Sequence, residues 1–213
     1  MSIHEIASMA PVIPVLTISV LEHAVPLARA LVAGGLGVLE ITLRTPIALA
    51  AIDAIRREVA ESIVGAGTLT RAIDFAAAVR AGAQFAVTPG LTSELAAAAH
   101  AVSLPLLPGV MTPTELIAAR GAGFDVLKLF PAVQAGGIAM VRALAAPFPD
   151  VVFCPTGGIT RASAADYLTL PNVICVGGSW LAPASMLSNR DWAGIEALAR
   201  DAASLGGRAS ENR

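Results

Sequence analysis

Residues 126–131, Val126-Leu127-Lys128-Leu129-Phe130-Pro131, make a short apolar run of strand type, and an alanine-rich amphipathic stretch beginning near Gly136 follows it. The same strand-then-helix unit recurs in both directions along the chain. Upstream, strands are predicted over Val12 to Ile18, Val38 to Leu43, Ile63 to Thr68, Phe85 to Pro89 and Leu104 to Val110; downstream, over Val152 to Ile159 and Val173 to Trp180. Helices are predicted to begin near Leu21, Pro46, Thr70, Thr92, Thr112, Gly136, Arg161 and Pro183. Thr70, Thr92 and Thr112 are candidate N-caps, and Gly34-Gly35, Gly82 and Gly121 candidate helix ends. Units repeated at this spacing with no linker between them predict an α/β fold: a single (β/α)8 TIM barrel domain over residues 1–213. The alternative is a doubly wound open sheet. It is disfavoured because no Gly-x-Gly-x-x-Gly turn follows the first strand.

Composition narrows the class. Of the 213 residues, 55% are hydrophobic and 14% charged, which implies a large core and subunit contacts. The apolar stretches are broken too often by Gly, Pro, Thr or a charge to reach the roughly 18 residues of a membrane span. A net charge of −2 and 4% aromatic residues offer little to nucleic acid. The first residues, Met1 to Glu5, carry no signal-peptide pattern, and Cys154 and Cys175 lie in apolar segments, so a cytoplasmic protein with packed, reduced thiols is expected. His4, His23 and His100 are far apart, His4 on a tail and the others on helical segments, and no metal site is expected.

In a barrel, the chemistry sits at the carboxyl ends of the strands. Alternation along Val38 to Arg44 places Glu40, Thr42 and Arg44 on one side, opposite Leu39, Ile41 and Leu43. Lys128, the only lysine beside 13 arginines, is embedded in apolar residues near the end of the sixth strand. Burial disfavours a charged amine, as does a neighbouring cation such as Arg44, and a neutral amine is a nucleophile able to form a Schiff base. Each residue also has an ordinary structural role open to it. The lysine can snorkel to the surface, and Glu40 can simply pair with Arg44. Gly157-Gly158 and Gly177-Gly178, followed by Ser179, end the last two strands and suggest backbone N–H groups for a phosphate, although glycine pairs also serve tight turns. Thr68 offers a hydroxyl whose first expected use is helix capping, and Pro89 offers shape without a donor.

Taken in order, the motifs Leu39-Glu40-Ile41-Thr42-Leu43-Arg44-Thr45, Val64-Gly65-Ala66-Gly67-Thr68, Thr88-Pro89-Gly90-Leu91, Lys128-Leu129-Phe130-Pro131-Ala132 and Phe153-Cys154-Pro155-Thr156-Gly157-Gly158-Ile159 make the chain closely resemble the bacterial 2-keto-3-deoxy-6-phosphogluconate aldolases, which are class I enzymes. The likeness runs from Pro11 to Leu181. It implies Lys128 as the Schiff-base lysine and Glu40 as general acid/base. It implies Arg44 and Thr68 at the carboxylate and keto end of the substrate, Pro89 and Phe130 as pocket wall, and Gly157, Gly158 and Ser179 at the phosphate. No cofactor is implied. A homotrimer in the Entner-Doudoroff pathway is implied, with some members also cleaving 4-hydroxy-2-oxoglutarate. The one departure is Thr68-Leu69-Thr70, where many relatives carry an apolar-Asn-Pro turn; it bears on a helix start. Two other functions remain open on the residues: a phosphate-binding barrel that isomerises or closes rings, with Lys128 as a charged clamp, and a non-enzymatic sensor of 2-keto acids.

Overall fold

The structure, a computed structural model, describes residues 1–205; residues 206–213 of the predicted domain lie outside the described residues. Parallel strands alternate with helices. A curled six-stranded sheet has the order β5-β4-β3-β2-β1-β9, and a three-stranded sheet the order β6-β7-β8. The strands are β1 (Val12–Leu16), β2 (Val38–Thr42), β3 (Ile63–Gly67), β4 (Phe85–Val87), β5 (Leu106–Leu107), β6 (Gly109–Val110), β7 (Val126–Leu129), β8 (Val152–Phe153) and β9 (Val176–Gly178). Around them lie α1 (Ile3–Ala7), α2 (Ala24–Ala33), α3 (Ala48–Glu58), α4 (Ala72–Arg80), α5 (Ser93–Ala101), α6 (Pro113–Gly121), α7 (Gly137–Ala145), α8 (Arg161–Leu168), α9 (Ala184–Ser188) and α10 (Trp192–Ala203). No helix among the described residues is long and apolar enough to cross a membrane.

The predicted strands are all present, with shortened ends. The fifth is split at Pro108, whose nitrogen cannot donate to a ladder. The seventh and eighth shrink to β8 and β9, joined by isolated bridges at Phe153↔Val173 and Thr156↔Gly177. Pro155 and the left-handed glycines 157 and 158 interrupt regular pairing there. Thr92 and Thr112 cap α5 and α6 as expected, accepting from the N–H groups of Leu95 and Glu115. Thr70 does not cap α4. The helix starts after Arg71, and the buried Asp74 carboxylate in its first turn reaches back, accepting from the N–H groups of Thr70 at 3.2 Å and Arg71 at 3.1 Å. At the end of α6 the left-handed residue is Gly123 (φ 91°), not Gly121.

Two helices escaped the sequence reading: α10, which follows the short α9 begun at Pro183, and α1. The segment expected to be a tail folds into α1, started by a reciprocal capping box between Ser2 and Glu5, and His4 lies within it. Ile6 and Ala7 of α1 are buried against the inner faces of the strands, with Ile13, Val38, Phe85, Val87, Leu107, Val126, Cys154 and Cys175. Burying a side chain such as Ile6 stabilises the fold by about 1.5–3 kcal/mol. Both sheets therefore curl around one inner core. The opposite strand faces, including Leu39, Ile41, Leu127 and Leu129, pack under the helices in a second, larger core.

Candidate active site

Glu40 and Lys128 meet on the inner face, toward the carboxyl ends of β2 and β7. The Lys128 Nζ lies 3.6 Å from Glu40 Oε1, and both side chains are nearly inaccessible, at 6% and 3% exposure. That excludes the snorkelling alternative for Lys128. It also shows that the buried partner of Glu40 is the lysine and not Arg44. Breaking such a pair by removing one partner typically costs about 3–5 kcal/mol, because a charge is left buried alone. Among the described residues Glu40 Oε1 has no hydrogen-bond partner. The Nζ also stands 5.0 Å from the centre of the Phe130 ring, within cation–π range.

Neighbouring strands make room for this pair. Glu40 is in register with Gly65 of β3 and Thr42 with Gly67. A methyl group at Gly67 would fall on the Glu40 carboxylate, and one at Gly65 on the Phe85 ring. The two glycines of β3 therefore serve as sockets, one for the carboxylate and one for the aromatic ring below it. Lys128 is in register with Gly109 of β6, and its N–H donates to the Pro108 carbonyl at 2.8 Å. A methyl at Gly109 would strike the Pro89 carbonyl, so the chain leaving β4 passes directly over the strand beside the lysine. Pro89 is thereby brought near the pair.

The remaining predicted residues are distributed as follows. Arg44 is exposed and lies past the end of β2, in the turn before α3; among the described residues it makes no ion pair. Thr68 is half-buried and takes a left-handed conformation (φ 63°), uncommon and strained for a β-branched residue. It caps no helix, because α4 begins after Arg71. Gly157 (φ 101°) approaches Pro131 and Phe130, and Gly158 (φ 76°) approaches Val133. The Val133 N–H donates to the Gly157 carbonyl at 3.2 Å, tying the segment after β7 to the glycine turn. Ser179 is exposed directly after β9. A groove of about 470 Å³ runs outside the turns after β2 and β3, lined by Leu43, Thr45, Pro46, Thr68, Thr70 and Ile73 among others. Glu40 and Lys128 do not line it, so it adjoins the site without being its pocket.

One buried residue beside the site was not legible beforehand. Thr156 is buried, with its hydroxyl where a side chain on Gly177 would go, one strand away from the lysine's strand. Nothing but the position of Thr156 before two glycines marked it in the sequence. Cys154 and Cys175 lie below it and are buried as expected. A hydrogen bond with Cys154, followed by burial, pushes the Cys175 thiol well above its usual range, which keeps it protonated and inert.

Residues 3–198 match the family described as KDPG and KHG aldolase. The KHG/KDPG aldolase of Escherichia coli (strain K12) is 50% identical over 201 residues, covering 94% of each chain. The 2-dehydro-3-deoxy-phosphogluconate aldolase of Zymomonas mobilis is 47% identical over 203 residues, 95% of this chain and 96% of that protein. Among solved structures, the KDPG aldolase of Legionella pneumophila, with pyruvate captured at low pH as a covalent carbinolamine intermediate, superposes with a TM-score of 0.92 at 45% identity. That alignment covers 94% of this chain and 97% of the other. The 2-keto-3-deoxy-6-phosphogluconate aldolase of Z. mobilis ZM4 with 3-phosphoglycerate gives 0.90 at 47% identity over 94% of both chains.

Proposed function

The chain belongs to the KDPG and KHG aldolase family, and from that membership we propose that it is a class I aldolase cleaving 2-keto-3-deoxy-6-phosphogluconate to pyruvate and glyceraldehyde 3-phosphate. The observation that carries the proposal is the buried Lys128–Glu40 pair at 3.6 Å, with a carboxylate oxygen that no donor among the described residues satisfies. A nucleophile and an acid/base group within reach of one reacting carbon are what Schiff-base chemistry requires.

The Lys128 amine, in its neutral form, attacks the C2 ketone to give a carbinolamine, and loss of water leaves a protonated imine. Glu40 takes the proton from the C4 hydroxyl, directly or through a water. The C3–C4 bond breaks, its electron pair moves onto the imine, and the aldehyde leaves. The remaining enamine is protonated at C3, and hydrolysis releases pyruvate and the free amine. In this scheme Arg44 and Thr68 hold the carboxylate and keto end. Pro89 and Phe130 form the wall, and Gly157, Gly158 and Ser179 receive the phosphate. The positive φ of both glycines supports the last assignment, because such turns present backbone N–H groups to an anion. The strained Thr68 backbone supports a site there, since strain of this kind concentrates at functional positions.

The E. coli relative's name includes KHG, and cleavage of 4-hydroxy-2-oxoglutarate to pyruvate and glyoxylate is the second activity to test. It would use the same pyruvate-forming half of the site. The cell context proposed is a cytoplasmic enzyme of the Entner-Doudoroff pathway, assembled as a homotrimer; exposed Ile73 and Ile117 are apolar side chains that a subunit contact would cover. The proposed fold is a closed (β/α)8 barrel in a single domain. Pro108 alone separates β5 from β6, and the Thr156↔Gly177 bridge links the β8 segment to β9, which pairs with β1.

Borohydride reduction in the presence of pyruvate tests the function. A mass increase confined to the peptide containing Lys128, with loss of activity, is expected. Full activity after that treatment would overturn the Schiff-base scheme, and release of pyruvate from a panel of phosphorylated and unphosphorylated 2-keto-3-deoxy acids would rank the substrates.

A further inference from the structure

We propose that the hydroxyls of Thr17, Thr42 and Thr45 staple the turn after β2 to the end of β1, and that Thr17 and Thr45 are positioning residues that hold Arg44 for the substrate carboxylate. The proposal deepens the functional reading given above and rests on Arg44 gripping that carboxylate. Backbone pairing between β1 and β2 stops at Leu16↔Ile41. On the other side, the last ladder bond is from the Leu43 N–H to the Gly67 carbonyl, at 2.8 Å. Arg44 is therefore the first residue off the sheet.

Beyond that point, threonines take over. The Thr42 hydroxyl donates to the Leu16 carbonyl at 2.9 Å. Having one proton, it must accept in its 2.9 Å contact with the Thr17 hydroxyl, which makes Thr17 the donor. Thr45 donates to the Ile18 carbonyl at 2.7 Å. Arg44 thus sits between two points fixed to the same neighbouring segment, residues 16–18. Thr45-Pro46 has the pattern of a helix cap followed by a first-turn proline, yet α3 starts only at Ala48, with no side-chain cap. The Thr45 hydroxyl is spent across the strands instead of on its own helix. Lys128 and Glu40 are held by other contacts, so loss of the staple should loosen the guanidinium and leave the reacting pair in place.

The test compares Thr45→Val and Thr17→Val, which remove a hydroxyl at nearly constant shape, with Thr45→Ser, which keeps it. For 2-keto-3-deoxy-6-phosphogluconate cleavage, each valine variant is expected to raise KM about three- to tenfold, the size of one lost hydrogen bond. The kcat should stay within about twofold, because acid/base help is untouched. Thr45→Ser should restore KM. In an Arg44→Ala background, Thr45→Val should add nothing to KM. If Arg44→Ala raises KM while both valine variants leave it unchanged, or if the effects of Arg44→Ala and Thr45→Val simply multiply, the staple is overturned and the Arg44 reading survives. An Arg44→Ala enzyme with unchanged KM would remove the Arg44 reading and the staple's role with it. Thr17 is exposed, so Thr17→Val carries the test should Thr45→Val fail to fold.

Discussion

The two halves of the strands' inner face make opposite use of the same alternation. Val38 of β2 and Val126 of β7 are buried in the inner core with Cys154 and Cys175. Two residues further on, the same sides of the chain carry Glu40, Lys128, Thr156 and Gly177. One repeat of the pleat, about 6.5 Å along a strand, separates side chains that hold the molecule together from side chains that can react. The lower half is sealed by Ile6 and Ala7 of α1. The upper half is left polar, with glycines in β3 clearing space for the carboxylate. Stability and chemistry are layered along each strand, and either layer should be open to damage alone.

The strongest way to break that separation is to cut one residue from each layer of β7. Lys128→Ala is expected to lower pyruvate release by more than about 10³-fold, since it removes the covalent step outright. Val126→Ala should instead cost about 1–3 kcal/mol of stability, read from urea melts, with kcat within about twofold. Comparable losses of activity in the two variants would refute the layering. Next in size, Ile6→Ala should lower stability by about 2–4 kcal/mol by opening a cavity under the inner core, again at unchanged kcat. Gly67→Ala sharpens the boundary between layers. Its methyl would displace the Glu40 carboxylate, and kcat is expected to fall about 10- to 100-fold while borohydride still traps pyruvate on Lys128. An undiminished kcat would show that the socket is not needed. The smallest effect lies outside both layers, where Arg161 beside Asp201 holds that carboxyl below the usual range by a side-chain hydrogen bond. A lowered folded pKa stabilises above the unfolded value of about 3.9 and is lost as pH falls through the folded one. Asp201→Asn should therefore lower Tm by no more than about 2 °C near neutral pH, and the difference should close in acid.

Much of this layering could be read from the sequence because a period of two is visible in short apolar strands. Glu40 and Lys128 stood out as charges on positions where neighbours two residues away are valine. Pairing was harder to read. Arg44, on the same side of the strand, was the one partner the sequence offered Glu40 as an alternative to a catalytic role, whereas the curl of the sheet brings a residue from a distant strand to the carboxylate. The sockets at Gly65 and Gly67 and the buried Thr156 were illegible for the same reason, as each is defined by what a neighbouring strand inserts. Thr68 was expected at a helix cap because its own strand ends there; α4 begins only after Arg71, out of its reach, and the Asp74 carboxylate in its first turn folds back onto the N–H groups of Thr70 and Arg71. The α1 helix is too short for periodicity to reveal, although Ser2 and Glu5 have the spacing of a capping box.

The seclusion of Lys128 has a practical side. It is the sole lysine, and its side chain is 6% exposed, so no ammonium side chain is offered to the solvent. Acylating dyes, biotin esters and aldehyde cross-linkers would find no lysine on the outer surface, only the α-amine of the exposed Met1, and any reagent slim enough to reach the one lysine would silence the enzyme in the same event. Active-site occupancy could then be counted from the label carried by the Lys128 peptide, with no other lysine to contribute to it.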